Sequence, residues 1–343
     1  MRLQQVITVI GVHAEGEVGR VITGGVIAPR ASSMFERQQL LQRDQDWLRG
    51  MLLSDPRGSA NAAVNLVTPP IAAEADVGLI VIEADYYPPM SGSNLMCTVT
   101  AVLETGMVPM IEPVTVLCVD TPAGLVRVKA ECGGGKCRRV SFSNVPSFVF
   151  HRQKPVDVPG LGTIVVDVAY GGMIYVIVPS EELGFTLARS EARSLVEMGE
   201  RIKLAAAEQL PSVHPGNPGI HTINQTLFAG PLSVRDGIKS AKNAVVVSPG
   251  RIDRSPCGTG SSARMALMHA RGELAVGERF KHYSILDTVF ECSIEATTTV
   301  CGVEAVVPNV GGRAWLTGVS YYGADPEDPF PNGYRLNDTW LSC

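Results

Sequence analysis

Two short segments, about half the chain apart, place a small side chain with an exchangeable proton directly before a glycine. Ser91 precedes Gly92 in one segment, and Cys257 precedes Gly258 in the other. Each pair opens a run of helically spaced apolar residues, and each run ends at a glycine suited to close a helix. The spacing therefore predicts two matched helix starts and a duplicated half-domain, although two unrelated helices would give the same pattern.

The two predicted helix starts could bind an anion and hold a base. A helix start presents unpaired N–H groups and the positive end of the helix dipole, so a facing pair would form a site for a carboxylate. A cysteine at such a start favours the thiolate over a free thiol, whose pKa is about 8.5, so Cys257 is a candidate base. A buried structural cysteine is the alternative. Ser91 is a much weaker acid than a thiol, but it could donate a hydrogen bond or hold a water molecule.

Other motifs in the chain carry less chemistry. The segment Cys132-Gly133-Gly134-Gly135-Lys136-Cys137 has cysteine spacing like that of a metal site, but no second Cys or His pair accompanies it. We interpret it as a hairpin turn. The chain has no phosphate-binding loop, no zinc-type histidine pair on a helix and no nucleophile elbow.

Strands dominate the elements that must position these residues. Runs rich in valine and isoleucine, separated by turn signals, predict strands at Val6–Val12, Arg20–Ile27, Val77–Glu83, Val114–Val119, Leu125–Lys129, Thr163–Val168, Met173–Val178, Asn243–Val247 and Glu304–Val307. Apart from the two matched starts, helices are predicted from Ser190 to about Leu210 and from Met34 to Met51.

The composition predicts a folded protein with a small ligand. Of the 343 residues, 45% are hydrophobic and 18% charged, and the mean hydropathy is +0.14, so the chain is too apolar to be disordered. The net charge of −5 and the lack of a dense basic run argue against nucleic acid and membrane surfaces as partners. No apolar stretch is long enough to span a membrane, and the first residues do not resemble a signal peptide. We expect a soluble, cytoplasmic protein with mostly buried, unpaired cysteines, and a homodimer.

At the second helix start the sequence resembles the proline racemase family, which includes proline racemases, 4-hydroxyproline epimerases and trans-3-hydroxy-L-proline dehydratases. The block Asp253-Arg254-Ser255-Pro256-Cys257-Gly258-Thr259-Gly260, with Ser262-Ala263-Arg264, is similar to the family's second catalytic block almost residue for residue. The resemblance extends over nearly the whole chain and includes His13 through Arg20, Asp55-Pro56-Arg57-Gly58, Glu104-Thr105-Gly106, Thr121-Pro122-Ala123-Gly124 and Ala169-Tyr170-Gly171-Gly172.

The first block departs from the family pattern. The family's racemases have Met-Cys-Gly-His there, whereas this chain has Met90-Ser91-Gly92-Ser93. Cys97 is nearby but out of register, and Met173 stands where the family commonly has asparagine.

The resemblance implies a fold and a set of site residues. The fold would be α+β, with two pseudo-symmetric α/β domains of the diaminopimelate epimerase-like type, each a curved sheet around a central helix. We expect residues 1–160 in the first domain and 161–343 in the second, with the C-terminal segment able to return to the first. Cys257 and Ser91 would be catalytic. Backbone amides near Gly92, Ser93, Gly258 and Thr259 would bind the substrate carboxylate, and Asp253 the ring amine, with no cofactor and no metal.

The single thiol favours one activity of the family. Racemisation uses one group to remove the Cα proton and a second to deliver a proton to the opposite face, and the family's racemases use paired thiols. In trans-3-hydroxy-L-proline the Cα hydrogen and the hydroxyl leave from the same face, so one thiol suffices. We therefore expect dehydration of this imino acid to Δ1-pyrroline-2-carboxylate. The alternatives are a 4-hydroxyproline 2-epimerase, both activities in one site, or a non-catalytic imino-acid binding protein.

Overall fold

A computed structural model describes residues 3–336 of the chain, so the predicted domain limits at residues 1 and 343 lie outside the described part. Its strands are β1 (Gln4–Ala14), β2 (Glu17–Gly24), β3 (Ala62–Thr68), β4 (Val77–Ile82), β5 (Val114–Thr121), β6 (Gly124–Cys132), β7 (Cys137–Ser143), β8 (Phe148–Val158), β9 (Gly162–Tyr170), β10 (Ile174–Pro179), β11 (Gln225–Ala229), β12 (Ser233–Arg235), β13 (Ile238–Val247), β14 (Arg251–Ile252), β15 (Arg279–Tyr283), β16 (Val289–Val300), β17 (Val303–Gly312) and β18 (Ala314–Ala324). Its α-helices are α1 (Met34–Asp44), α2 (Trp47–Leu53), α3 (Gly92–Glu104), α4 (Ala192–Gln209) and α5 (Gly258–Ala270).

The described residues form two compact units. Unit 1 contains residues 3–141 together with 313–336, and unit 2 contains residues 142–312. The boundary expected between residues 160 and 161 falls in the turn between β8 and β9, two strands that pair from Phe148 to Val158, so this hairpin belongs whole to unit 2. The last described strand, β18, pairs with β1 along its length, which makes the C-terminal segment part of unit 1.

In unit 1 the strands pair in an alternating pattern around a central helix. Antiparallel pairs β1–β2, β3–β4 and β5–β6 are joined by parallel pairs β2–β3 and β4–β5. Parallel neighbours need a crossover connection, and α1 with α2 supplies the first while α3 supplies the second. Helix α3 packs against β1, β2, β3, β4 and β18, and all its residues except Glu104 are buried. A helix that is buried on every side forms the centre of a core rather than its cover.

Unit 2 repeats the same order. Antiparallel pairs β9–β10, β11–β13 and β15–β16 are joined by parallel pairs β10–β11 and β13–β15. Helix α4 makes the first crossover and α5 the second, and β8 pairs with β9 as β18 pairs with β1. Helix α5 packs against β8, β9, β10, β16 and β17 and is buried from Gly258 through Met268. The internal repeat predicted from the two helix starts is therefore confirmed.

Some predicted elements differ in detail. The single helix expected from Met34 to Met51 is two helices, because Gln45 leaves the helical conformation with φ −134° and ends α1. The helix expected from Ser190 is confirmed from Ala192 to Gln209. The segment between Cys132 and Cys137 is a turn, as predicted, closed by a 2.9 Å hydrogen bond from the Gly133 N–H to the Lys136 carbonyl. Within residues 3–336, no helix has the length and apolar character needed to cross a membrane.

Candidate active site

Cys257 caps the N-terminus of α5 in a strained backbone conformation. Its φ is +64°, in a region that side chains with a Cβ rarely adopt, and such strain costs about 1–3 kcal/mol unless the surroundings hold the residue there. The surroundings do so through a short chain of hydrogen bonds. The Cys257 N–H donates to Ser255 Oγ at 3.1 Å, and both the N–H and the hydroxyl of Ser255 donate to Asp253 Oδ1, at 2.8 and 2.9 Å.

The Pro256 carbonyl fixes the same loop from the other side. It accepts hydrogen bonds from Asn243 Nδ2 at 2.9 Å and from the Ser261 hydroxyl at 3.3 Å. Strain that is held in place by many contacts is characteristic of functional sites, so the conformation supports a chemical role for Cys257.

The thiol of Cys257 is buried among donors. Its Sγ accepts from the Gly260 N–H at 3.4 Å and lies 3.3 Å from the Tyr175 hydroxyl and 3.9 Å from Thr259 Oγ1. Burial raises the pKa of the thiol well above its usual value, and the Asp253 carboxylate raises it further. The donors lower it, but burial and Asp253 prevail. The thiolate preference expected from the helix start is thus present and outweighed.

The first turn of α5 lies against a turn of the sheet that requires glycine. A Cβ on Gly171 would stand 2.1 Å from the Thr259 carbonyl oxygen and 2.5 Å from the Ala263 nitrogen. Asn144 holds this contact together, because its Nδ2 donates to the Gly171 carbonyl at 2.8 Å and to Ser262 Oγ at 2.9 Å. As the first two residues of the helix, Gly258 and Thr259 carry N–H groups that have no partner within the helix.

Behind the helix start runs a buried chain of polar groups. Arg264 donates to Nε2 of His282 at 3.2 Å, and Nδ1 of His282 lies 2.7 Å from Ser261 Oγ. Burial lowers the pKa of Arg264 to about 10 and that of His282 well below its usual value, so the guanidinium stays charged and the imidazole neutral at pH 7. An arginine donor at Nε2 leaves the proton on Nδ1, which then donates to Ser261. This chain supports the loop of Cys257 from below.

In unit 1, Ser91 caps the N-terminus of α3. Its backbone is ordinary extended chain with φ −147°, unlike that of Cys257, and its side chain is buried. Asn94 Nδ2 donates to Ser91 Oγ at 2.9 Å. Because the serine oxygen accepts this bond, its own proton stays available for another acceptor. Gly92 and Ser93 follow in the first turn of the helix and are buried as well.

The structure groups the predicted site residues by unit. Asp253, Cys257, Gly258 and Thr259 lie together in unit 2, whereas Ser91, Gly92 and Ser93 lie together in unit 1. Among residues 3–336, no group of three or more His, Cys, Asp or Glu side chains is arranged to hold a metal ion.

Two residues beside the site were not predicted from the sequence. Tyr175 lies on β10, close after the Tyr170-Gly171-Gly172 block, but nothing in its spacing relates it to Cys257, 82 residues away. Asn94 stands three residues after Ser91, a spacing at which side chains often bond to a helix cap. That spacing could have identified Asn94.

Comparison with known proteins places this architecture in a family. Two solved structures are similar over almost their full length. One is a hydroxyproline epimerase from Agrobacterium vitis with bound trans-4-hydroxy-L-proline, 37% identical, with a TM-score of 0.94 over 99% of this chain and 97% of that chain. The other is a probable proline racemase from Agrobacterium radiobacter with bound carbonate, 39% identical, with a TM-score of 0.92 over 97% of this chain and 98% of that chain.

A more distant structure shares the fold alone. It is a phenazine biosynthesis protein of the PhzF family from Bacillus anthracis, 10% identical, with a TM-score of 0.58 over 94% of this chain and all of that chain. The predicted fold class, α+β with two related domains that each surround a central helix, is confirmed. The family model for proline racemase matches residues 9–335, and the chain belongs to the proline racemase family.

Proposed function

We propose that the chain dehydrates trans-3-hydroxy-L-proline to Δ1-pyrroline-2-carboxylate without a cofactor. One observation carries the proposal: of the two helix caps at matching places in the repeated fold, Cys257 has a thiol and Ser91 only a hydroxyl. A serine hydroxyl is too weak an acid to replace a thiol as a base near neutral pH. The chain therefore has one effective acid–base group at these two places.

A single thiol can complete this elimination. The Cys257 thiolate takes the Cα proton, and the electron pair of the Cα–H bond forms the Cα–C3 double bond while the C3–O bond breaks. The new thiol gives its proton to the departing hydroxyl, so that water leaves and the thiolate is restored. Hydrogen and hydroxyl leave from the same face, which lets one group serve both steps. The enamine product then tautomerises to Δ1-pyrroline-2-carboxylate.

The surroundings of Cys257 support this use of the thiol. We assign the substrate carboxylate to backbone amides near Gly258 and Thr259, with Gly92 and Ser93 as the matching group of unit 1. We assign the cationic ring amine to Asp253. The Asp253 charge raises the pKa of the Cys257 thiol, and a bound cation beside it would offset that effect. Substrate binding would then itself favour the thiolate that the first step requires.

Proton NMR in deuterated water tests the proposal with proline and the isomers of hydroxyproline. We expect trans-3-hydroxy-L-proline to lose water, and Cys257→Ser to lower the rate by roughly 10²–10⁴-fold while circular dichroism stays unchanged. Cys301→Ser is the matched control, because Cys301 is exposed in unit 2 and should leave the rate unaffected. A Cys257→Ser enzyme that keeps most of its rate would remove the thiol from the mechanism. Binding of imino acids without any turnover would favour the binding-protein alternative.

The second candidate function is 4-hydroxyproline 2-epimerase. It is favoured by the similarity, at 37% identity, to the Agrobacterium vitis hydroxyproline epimerase that holds trans-4-hydroxy-L-proline. In this mechanism the Ser91 hydroxyl, whose oxygen already accepts from Asn94, would pass a proton to the second face of Cα. The same NMR screen separates the two activities, because epimerisation exchanges the Cα proton and inverts the centre without forming a pyrroline.

Variants of Ser91 decide what this residue contributes. Ser91→Cys would restore the second thiol of the family's racemases, so we expect it to raise epimerisation of proline-type substrates and leave dehydration intact. If epimerisation does not rise, Ser93 or the surroundings of Met173 limit the activity instead. A loss of dehydration in Ser91→Ala would show that Ser91 takes part in the elimination.

A further inference from the structure

We propose that Tyr175 is a catalytic residue, which forms with Thr259 a hydroxyl pair whose hydrogen bonds reverse direction each time Cys257 gains or loses its proton. The inference rests on the proposed function in one respect, since it takes Cys257 as the acid–base group. It adds a residue that the comparison with the family does not supply, and it explains how one thiol can serve as a base and then as an acid in the same turnover.

The geometry of the three side chains forms a bent chain. The Tyr175 hydroxyl lies 2.6 Å from Thr259 Oγ1 and 3.3 Å from Cys257 Sγ, while Thr259 Oγ1 is 3.9 Å from the sulfur. Tyr175 therefore stands between Thr259 and the thiol. In each of these contacts either atom can donate, because every hydroxyl has one proton and can also accept.

The protonation state of Cys257 decides the direction of the chain. A thiolate can only accept, so Tyr175 donates to the sulfur and the Thr259 hydroxyl donates to the tyrosine oxygen. A thiol carries a proton of its own, so it can donate to the tyrosine oxygen while Tyr175 turns its proton to Thr259. Only hydroxyl rotations separate the two arrangements. The proton taken from Cα stays on the sulfur until it passes to the leaving hydroxyl.

Such a pair stabilises both states, which a fixed donor does not. The Gly260 N–H, 3.4 Å from the sulfur, can only donate and therefore favours the thiolate alone. In a buried site a group that must alternate between charged and neutral forms would be left poorly paired in one of them. The hydroxyl pair removes this problem without solvent, since Cys257, Tyr175 and Thr259 are all at most 4% exposed.

The position of Tyr175 makes it a rigid partner. It lies on β10, between β9 and β11, where Ala169 and Gln225 are its neighbours in the two pairings. Every residue of β10 before Pro179 is buried. The tyrosine hydroxyl is thus held at the thiol by the sheet rather than by a flexible loop.

The test measures the pH dependence of Cys257 alkylation by iodoacetamide without substrate, with the Cys257 peptide followed by mass spectrometry. In Tyr175→Phe we expect the inflection to move to higher pH, with about tenfold less thiolate at a given pH, because a donor to the charged form is lost. Thr259→Val should shift it in the same direction, and Thr259→Ser should restore the behaviour of the unchanged chain. The double variant Tyr175→Phe with Thr259→Val should add little to Tyr175→Phe alone.

Tyr170→Phe is the matched control. Tyr170 is equally buried in the same unit, but its ring packs against Phe148 and His214 rather than near the thiol, so the inflection should not move. An inflection in Tyr175→Phe that coincides with that of the unchanged chain would overturn the proposal. So would a shift in Thr259→Val that is absent from Tyr175→Phe. Because no substrate is present, these results stand whether or not trans-3-hydroxy-L-proline is dehydrated.

Discussion

Asp253 acts on Cys257 in two ways that oppose each other. Its Oδ1 accepts two hydrogen bonds from Ser255, which in turn accepts from the Cys257 N–H, so the carboxylate holds the strained cap in place. Its charge also raises the pKa of the thiol that this cap presents. A residue that both builds the site and hinders the thiolate in the absence of substrate is useful when the substrate brings a cation, because binding then switches the base on.

Replacement of Asp253 by asparagine separates the two effects. The asparagine Oδ1 can still accept from Ser255, but the negative charge is gone, so the pKa of the Cys257 thiol should fall. We expect faster alkylation of Cys257 at pH 7 in the free protein and, at the same time, a higher KM for the substrate because the ring amine loses its counter-charge. Alkylation kinetics and substrate titration of the same preparation measure both. Slower alkylation in Asp253→Asn would contradict the electrostatic argument.

The sequence predicted part of this residue-scale description. It identified Cys257 as a helix cap, since the residue types around it are those of a helix start. It could not predict that the thiol is disfavoured as a thiolate in the free protein, because burial and the placement of Asp253 are properties of the folded chain. Tyr175 was missed for the same reason, since its contact with Cys257 spans 82 residues of chain.

At the scale of elements, the start of α5 depends on how closely the turn between β9 and β10 approaches it. Gly171 makes the approach possible, and Asn144 fastens the turn to the helix. The helix itself was predictable from its apolar spacing and its closing glycine. Its depth of burial followed less directly, because α3 and α5 are covered on all sides by strands that are distant in sequence.

Substitution of Gly171 by alanine should damage both stability and activity. The new Cβ would lie far inside contact distance of the Thr259 carbonyl and the Ala263 nitrogen, both backbone atoms that cannot rotate away. We expect a loss of about 1–3 kcal/mol in the free energy of unfolding, typical of overpacked cores, together with a reduced rate because the first turn of α5 must shift. Chemical denaturation and the NMR assay measure these.

The control for this variant is Gly133→Ala. A Cβ on Gly133 would meet no atom within 4 Å, and its backbone does not require a positive φ, so the replacement should change neither property. Equal stability of the Gly171→Ala and Gly133→Ala variants would mean that the turn between β9 and β10 can move away from α5 at little cost.

At the scale of the whole molecule, a repeated order of elements carries unequal chemistry. Both units have the same alternation of strand pairings, with the capped helix at the second crossover, yet only the cap of unit 2 is a thiol. The sequence predicted this repeat from two short segments. The course of the chain was harder to predict, because the pairing of β18 with β1 joins residues some 300 positions apart and no local pattern specifies it.

The return of the chain to unit 1 should make that unit depend on its C-terminal segment. Strand β1 lies between β2 and β18, and its side chains Ile7 and Val9 are fully buried. Removal of residues 313–343 would leave β1 as an edge strand with unpaired backbone groups and exposed apolar surface. It would also remove the 2.6 Å ion pair between Arg57 and Asp328.

We therefore expect a chain that ends at Gly312 to lose hydrogen-exchange protection in β1, β2 and β3 while residues 142–312 keep theirs. A chain that ends at Ala324 is the matched control, because it keeps β18 and loses the ion pair, and partly exposed ion pairs contribute about 0–1 kcal/mol. Protection of β1 should survive in that control. Full protection of β1 in the chain ending at Gly312 would show that β2 alone holds it, whereas loss throughout residues 142–312 would show that unit 2 cannot keep its structure without an intact unit 1.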